Sequence, residues 1–346
     1  MTPYKLKLGQ KSIVAVLCSA AIFSTQVNSQ SLEQAVAHAL DTNPELRIAY
    51  TQFKVKEKQV DQAEAGYLPT LDATGGYGYE YTDSPSTRSS GDGDDTKSLA
   101  RSELGLKLQQ NLFNGFHTQS EVSRTSYATS AEQWRLHSSA EDLALQISQV
   151  YLDLIKAQQL VELSEQNLAS HQEIYDQIKQ RTDAGFSSSA DFSQISGRLA
   201  NANSNLIAAK NNYLDSKAMF YRVTEQQPEN LVIPVPDASL LPANAEQGIK
   251  AAIANHPVIR SAENDIHSAR AQYDSAKSAY YPKVTLDVEA NHYNDIDGAD
   301  GEYSGVGGEN NEVLAMVRVS YNLYAGGKDQ AYTKETAYKM NEAKEL

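Results

Sequence analysis

The stretch that decides the fold is AGYLPTLDATGGYGYEYTD, residues 65–83. Pro69 ends the helical pattern before it, because proline has no amide hydrogen to donate within a helix. Beyond the proline, apolar and small residues take the odd positions, whereas Asp72 and Glu80 lie at even positions. A period of two places alternate side chains on opposite faces of a strand. The stretch therefore predicts a strand over residues 70–82 with one apolar face, one polar face and tyrosines at its far end.

Three more segments show this alternation, and they predict strands over residues 99–113, 283–293 and 312–324. Strands usually have about 5–6 residues, whereas a tilted strand that crosses a bilayer has about 9–11. Charged side chains on the second face of the four strands are the candidate pore-facing residues: Asp72, Glu80, Arg101, Glu103, Lys107, Asp287, Glu289 and Arg318.

Aromatic residues stand at both ends of the predicted strands. Tyr67, Phe113, Tyr281 and Tyr324 lie at the ends nearest the helices, and Tyr79, Tyr81 and Tyr293 lie at the opposite ends. Two aromatic levels are typical of strands that cross a bilayer. The alternative is a soluble sandwich with one solvated face, which needs another layer to cover the apolar faces.

The chain also contains an internal repeat. ALDTNPELR (residues 39–47) matches AIANHPVIR, and AEAGYLPTL (63–71) matches AKSAYYPKV, both at an offset of 213 residues. LFNGF (112–116) matches LYAGG at an offset of 211. These matches predict repeat one over residues 30–243 and an incomplete repeat two over 244–346, so we expect a chain truncated at its C-terminus relative to a full duplication. The predicted helix–strand junctions are Pro69, Pro282, Asn114, Gly115, Gly326 and Gly327.

Helical periodicity fills most of the remaining sequence. The predicted helices cover residues 43–67, 116–182, 188–223, 256–281 and the start of a long helix at 327–346. The second would be roughly 100 Å long, since an α-helix rises 1.5 Å per residue. The return helix 188–223 places apolar residues at intervals of three and four, which indicates a coiled coil. Residues 224–243 hold four of the ten prolines and form the predicted linker.

The N-terminal residues 1–29 have the pattern of a secretory signal peptide. Three lysines precede a 12-residue apolar run at 12–23, which is shorter than the roughly 20 residues that a helix needs to cross a bilayer. Cys18, the only cysteine, lies in that run. Disulfides are therefore not expected in the mature chain.

Composition argues against several classes of function. The 346 residues carry a formal net charge of −14, and no basic patch suggests nucleic-acid binding. The seven histidines show no paired ligand spacing, and neither a phosphate-binding loop nor a nucleophile elbow is present. We expect no metal, no cofactor and no enzymatic activity.

Four strands per chain are too few to close a membrane barrel, so the sequence predicts an oligomer. The smallest membrane barrels have about 8 strands, and neither an open sheet edge nor a charged strand face is tolerated in lipid. Strands from several copies must therefore surround a polar lumen. Two copies would give 8 strands, a size whose interior the side chains largely fill, whereas three would give 12 and leave a water path.

The signal peptide, the order of elements and the motifs NPELR, GYLPTL, LFNGF and YNLYAGGK resemble the TolC family of outer-membrane channel proteins. The resemblance implies a mainly α fold with membrane β-strands: a homotrimer with a 12-stranded β-barrel in outer-membrane lipid and a periplasmic α-helical barrel. It also implies a passive exit duct for type I protein secretion or efflux, docked to a periplasmic adaptor and an inner-membrane transporter of the ABC type.

On this resemblance the turn between the long helix and its return helix is the adaptor-docking tip. Its residues are Arg181, Ala184, Gly185, Phe186, Ser187 and Asp191. The alternative to a channel is a structural or adhesive coiled-coil protein of the periplasm or cell surface, in which the turn is an ordinary corner.

Overall fold

The computed structural model describes residues 30–83, 96–295 and 308–345. The predicted signal peptide, the two loops that follow the first and third strands, and Leu346 lie outside these ranges. In chain order the elements are α1 (Leu32–Thr42), α2 (Pro44–Glu64), β1 (Thr70–Asp83), β2 (Thr96–Asn114), α3 (His117–Asp183), α4 (Ser189–Thr224), α5 (Ala245–Asn255), α6 (Pro257–Ala276), β3 (Lys283–Asp295), β4 (Gly308–Ser320) and α7 (Lys328–Glu345).

The four strands form one antiparallel sheet in the order β1-β2-β3-β4. β1 pairs with β2 along its whole length, and β3 pairs with both β2 and β4. One bulge interrupts the pairing of β2 with β3, between Asn111 and Phe113. β1 and β4 are therefore the two edges of the described sheet.

The chain divides into two compact units, of which one contains Leu154–Tyr221. In this unit the C-terminal half of α3 and most of α4 form a helical hairpin. Its apolar seam buries Leu154, Ala157, Ile195, Ala202, Leu206 and Phe220. Alanines in the seam let the helix backbones approach closely. The rings of Tyr175 and Phe192 lie 5.5 Å apart near the turn, so the seam continues to the tip.

The second unit contains the sheet, the helices that lead into and out of it, and the N-terminal half of α3. α6 packs on α3 through a ring stack between His267 and Tyr127, with centroids 5.0 Å apart. Ser268 Oγ also donates to the carbonyl oxygen of Arg124 at 3.0 Å. None of the helices in the described ranges is long and apolar enough to cross a membrane.

Capping side chains begin the two helices that precede the strand pairs. Asn43 Oδ1 accepts from the amide of Glu45 at 2.9 Å, and Pro44 occupies the first turn of α2, where a missing amide hydrogen costs nothing. His256 and Pro257 repeat the arrangement at the start of α6. The last turn before each of β1 and β3 tightens to a 3-10 helix, at Ala65–Tyr67 and Lys277–Tyr280.

The structure differs from the sequence predictions at several boundaries. The helix predicted at 43–67 ends as an α-helix at Glu64, and the one predicted at 256–281 ends at Ala276. β4 spans Gly308–Ser320, so the prediction of 312–324 placed it too late. Two helices, α1 and α5, were not predicted.

Candidate functional site

The strand register shows which side chains share a face of the sheet. Directly opposite residues lie on the same face, and one such row joins Leu71, Leu108, Val288 and Ala315. The next row on this face joins Ala73, Leu106, Ala290 and Val313. Leu71 is 69% exposed and Val313 is 79% exposed. No other part of the described chain covers this apolar face.

All eight predicted pore-facing residues lie on the other face of the sheet. Asp72, Lys107 and Glu289 share one row, and Lys107 Nζ lies 2.7 Å from Glu289 Oε1. Nearer the far end, Arg101 forms ion pairs with both Glu80 and Glu103. The two faces therefore differ sharply: one is alkyl and aromatic, and the other carries paired charges.

Asp287 is the most enclosed charge on the polar face. Its side chain is buried and accepts hydrogen bonds from Gln109 Nε2 at 2.7 Å and Thr285 Oγ1 at 3.1 Å. Arg318 Nε donates to it at 3.2 Å. Asp287 thus joins β2, β3 and β4, so the charge also fixes the register of the polar face.

The faces contain residues that the sequence predictions missed or misplaced. Tyr293 lies opposite Glu103, on the polar face, and the guanidinium carbon of Arg101 lies 5.1 Å from its ring centroid. Tyr293 does lie near the far end of β3, as predicted, but on the polar face, whereas Tyr79 and Tyr81 lie on the apolar face. Glu312 lies opposite Asn291 on the polar face. Its even position in the strand could have identified it.

Two further positions break the alternation. Leu314 and Met316 lie on the polar face of β4, opposite Glu289 and Asp287. Leu112 has no partner at the bulge, and Phe113 takes the place opposite Val284 that strict alternation would give to Leu112.

Two glycine junctions connect the sheet to the helices that follow it. Gly115 has a φ of 67° and Gly326 has a φ of 64°, a conformation that glycine adopts without strain. Asn114 caps the turn, since its Oδ1 accepts from the amide of Thr118 at 3.3 Å. Pro69 and Pro282 stand immediately before β1 and β3. All six predicted junction residues therefore lie where a helix and a strand meet.

The predicted docking tip is a tight turn between α3 and α4. Gly185, with a φ of 80°, ends α3. Its amide donates to the carbonyl of Thr182, and the amide of Phe186 donates to that of Arg181 at 2.7 Å. This is a Schellman motif. The motif leaves the Phe186 side chain 80% exposed at the end of the hairpin.

A capping box begins α4 on the other side of the turn. Ser188 Oγ accepts from the amide of Asp191 at 3.1 Å, and Asp191 Oδ2 accepts from the amide of Ser188 at 3.2 Å. The hydroxyl of Ser188 also donates to Asp191 Oδ2 at 2.7 Å. The hydrogen bonds that the Asp191 carboxylate accepts, led by that from the Ser188 hydroxyl, lower the pKa of Asp191.

The capping box makes the tip sensitive to acid. Because the pKa of Asp191 is lower in the folded chain, its contribution to stability is complete above the pKa of an unfolded aspartate, about 3.8. The contribution is lost as the pH falls through the lowered pKa of the folded state. We expect amide hydrogen exchange at residues 188–192, corrected for its intrinsic pH dependence, to speed up in that acidic range. The Asp191→Asn variant should show no such acceleration. If its exchange rates depend on pH as they do in the original protein, the role given to Asp191 is wrong.

Together, the two-faced sheet and the long helical hairpin define a class of protein. A four-stranded sheet with one apolar and one charged face, and a long helical hairpin, are the elements of a channel subunit.

Comparison with known proteins identifies the family. The family model described as "Outer membrane efflux protein" matches residues 35–224 and 248–346. The chain belongs to this family, and its function is that of an outer-membrane channel component of a tripartite export system.

Similar proteins and structures agree with this identification. The outer membrane efflux protein BepC of Brucella suis is 25% identical over 333 residues, covering 95% of this chain and 69% of BepC. The outer membrane protein TolC of Vibrio cholerae is 22% identical over 333 residues, covering 95% of this chain and 73% of TolC. The crystal structure of VceC from Vibrio cholerae superposes with a TM-score of 0.70 at 17% identity, over 90% of this chain and 73% of VceC. A structure of CusC gives a TM-score of 0.75 at 14% identity, over 91% and 71% of the two chains.

Proposed function

We propose that three copies of the chain pool their strands into a 12-stranded barrel, with the polar faces around a continuous water path. The observation that carries this proposal is the four-stranded sheet with an uncovered apolar face, an ion-paired polar face and two open edges. Lipid would cover the apolar face, and pairing between copies would satisfy the edges, as a bilayer demands. Substrate passes through without chemistry, in type I protein secretion or in efflux.

Single-channel recording in planar bilayers tests the proposed pore with the complete purified protein. We expect discrete conductance steps, because the charged polar face holds water in the lumen. The eight pore-facing residues contribute five acidic and three basic side chains per copy, so the current in a potassium chloride gradient should prefer potassium. A protein that inserts into the bilayer and never conducts would contradict the proposal.

The remaining parts of the export system follow from the same assignment. Residues 1–29 are removed as the chain crosses the inner membrane, and the barrel sits in the outer membrane. The helical hairpin extends into the periplasm and meets an adaptor protein, which links it to an inner-membrane transporter of the ABC type. The transporter supplies the energy.

The docking role of the tip rests on its exposed mixed surface. A groove at the tip is lined by Ile178, Arg181, Phe186 and Arg198, among others. An aromatic side chain beside two guanidinium groups suits a partner with apolar and acidic side chains. No cofactor or metal enters this proposal.

We expect Phe186→Ser combined with Arg181→Glu to weaken adaptor binding at least tenfold, because it removes the exposed aromatic anchor and reverses one charge. The measurement is surface binding of the adaptor to the detergent-solubilised channel. Glu162→Ala is the matched control: it is an exposed residue of α3 about 24 residues from Phe186, or roughly 36 Å along a helix. Equal binding by the double variant and the control would contradict the docking role.

A further inference from the structure

Two aliphatic side chains interrupt the polar face of β4. Leu314 lies opposite Glu289 and Met316 lies opposite Asp287, so both belong to the face that carries the ion pairs. Successive side chains on one face of a strand are about 7 Å apart, which makes Leu314 and Met316 neighbours. Met316 is 41% exposed and Leu314 is half-buried. The two side chains therefore form a small apolar surface, which we call the β4 patch.

The corresponding strand of repeat one lacks this patch. At the repeat offset of 211, Leu314 corresponds to Glu103 and Met316 corresponds to Gly105. Both of these residues lie on the polar face of β2. A strand of this sheet therefore forms with a charged residue and a glycine at these positions, whereas an apolar side chain in water is unfavourable. The fold alone does not account for the β4 patch.

The charges around the β4 patch are compensated on one side only. The two carboxylates opposite the patch have cationic partners, since Lys107 Nζ lies 2.7 Å from Glu289 and Arg318 Nε donates to Asp287 at 3.2 Å. Glu312 lies two residues before the patch, on the same face of β4. Its side chain is exposed, and no cation pairs with it among the residues that the structure describes. One end of the patch thus carries an uncompensated negative charge.

An apolar surface beside an uncompensated carboxylate suits a molecule that has an apolar body and a positive charge. We infer that the β4 patch and Glu312 form a weak binding site for amphiphilic organic cations on the lumen side of the sheet. The thioether of Met316 makes favourable contacts with aromatic rings, and its flexible side chain adapts to ligands of different shape. This inference rests on the proposed channel, in which exported molecules pass along the polar face, and it names a class of substrate that the strands themselves hold.

Ligands of other kinds fit this surface less well. An anion would be repelled by Glu312, and the nearby Arg318 is already paired with Asp287. A small inorganic cation would meet a single exposed carboxylate, and an exposed ion pair in water contributes little by itself. The apolar contact must therefore supply part of the affinity. An amphiphilic cation uses both the carboxylate and the patch.

Protection of a reporter cysteine measures binding at this site. Asn291 lies directly opposite Glu312 on the polar face. Asn291→Cys is therefore introduced into the complete protein in a Cys18→Ser background, which has no other cysteine. Outer membranes are treated with iodoacetamide, an uncharged reagent that reacts with ionised thiols, at increasing concentrations of benzyltriethylammonium. We expect labelling to slow to about a third of its rate at twice the half-protection concentration, because occupied sites exclude the reagent by mass action.

Control ligands and a distant cysteine show whether the protection is specific. Tetraethylammonium lacks the aromatic ring, and benzenesulfonate reverses the charge. Each should protect Asn291→Cys only at concentrations at least about tenfold higher than benzyltriethylammonium. Thr70→Cys lies on the polar face of β1, three strands from β4. Its labelling rate should be unchanged by all three ligands.

Variants of the site assign the protection to its two parts. Leu314→Asn combined with Met316→Gln should raise the half-protection concentration of benzyltriethylammonium at least about fivefold, because the apolar contact is lost. Glu312→Gln should raise it about two- to fivefold, because the exposed ion pair is lost. Glu309→Gln is the matched control, since it removes the same charge from the same strand on the opposite face, across from Asn294. It should leave the concentration unchanged.

The outcomes separate this inference from the proposed channel. If both reporter cysteines react and benzyltriethylammonium protects neither, the binding site is wrong and the channel stands. The same holds if benzenesulfonate protects equally well, or if the variants at Glu312 and at the β4 patch bind like the original protein. If neither cysteine reacts with iodoacetamide, the polar face does not meet water, and the proposed channel itself is overturned.

Discussion

Leu106→Arg is expected to destabilise the membrane-embedded protein by about 2–4 kcal/mol, the cost of a cation on the lipid face near the middle of a barrel. Leu106 lies in the central part of the apolar face, in the row of Ala73, Ala290 and Val313. Burying a guanidinium in hydrocarbon removes its water without supplying a partner. Urea titration of the protein in lipid vesicles measures the loss, as a lower midpoint with an unchanged slope.

Thr74→Arg is the matched control for this experiment. Thr74 lies opposite Gly105, the neighbour of Leu106, so the two variants place the same charge at the same height on opposite faces. We expect Thr74→Arg to change the free energy of unfolding by less than about 1 kcal/mol, because the guanidinium would enter water. Equal losses in both variants would show that the faces are not divided between lipid and water.

Gly115→Ala is expected to lower the free energy of unfolding by a similarly large amount. A positive φ at a residue with a side chain costs about 1–3 kcal/mol, and overlap of the new methyl group with Ser278 and Tyr281 adds about 1–3 kcal/mol more. The unfolding midpoint of the detergent-solubilised monomer should therefore fall strongly.

Gly326→Ala separates these two costs. Its φ of 64° nearly equals the 67° of Gly115, but an added Cβ meets nothing within 4 Å in the single chain. In the monomer we expect this variant to lose only the conformational part. Equal losses in the two monomeric variants would contradict the role of the close contact at Gly115.

The strands and their faces could be predicted from the sequence because their signal is local. Alternation needs only neighbouring residues, and burial on one face fixes its phase. The charged residues from Asp72 to Arg318 therefore fall on one face, as predicted. The sequence signal for the helix–strand junctions is equally local, because proline restricts and glycine widens the backbone conformations at their own positions.

The errors in the strand predictions arose where pairing with a second strand decides the position of a bulge or of a strand end. The bulge at Leu112 depends on the pairing of β2 with β3, and β4 ends at Ser320 because β3 begins opposite it at Lys283. Neither is encoded within one strand. In contrast, α1 and α5 were missed despite local signals. Ser31 and Gln34 form a capping box, and Asn244 Oδ1 accepts from the amide of Gln247 at 2.9 Å.

Tip residues such as Phe186 illustrate a different limit. The sequence predicted a turn there, and the structure supplies its Schellman motif and capping box. A docking function also depends on the surface of a partner, which the sequence of this chain does not encode. For the two faces of the sheet the proposed partners are lipid and water, whose chemistry is known.

The most direct test of the central claim is the solvent accessibility of adjacent positions on the two central strands. Single cysteines replace Leu106, Lys107, Val288 or Glu289 in the Cys18→Ser background, and intact outer membranes are treated with a charged, water-soluble thiol reagent. The account predicts rapid labelling at 107 and 289 and protection at 106 and 288. Labelling at 106 and 288 with protection at 107 and 289 would place the charges against lipid, and the proposed channel would be wrong.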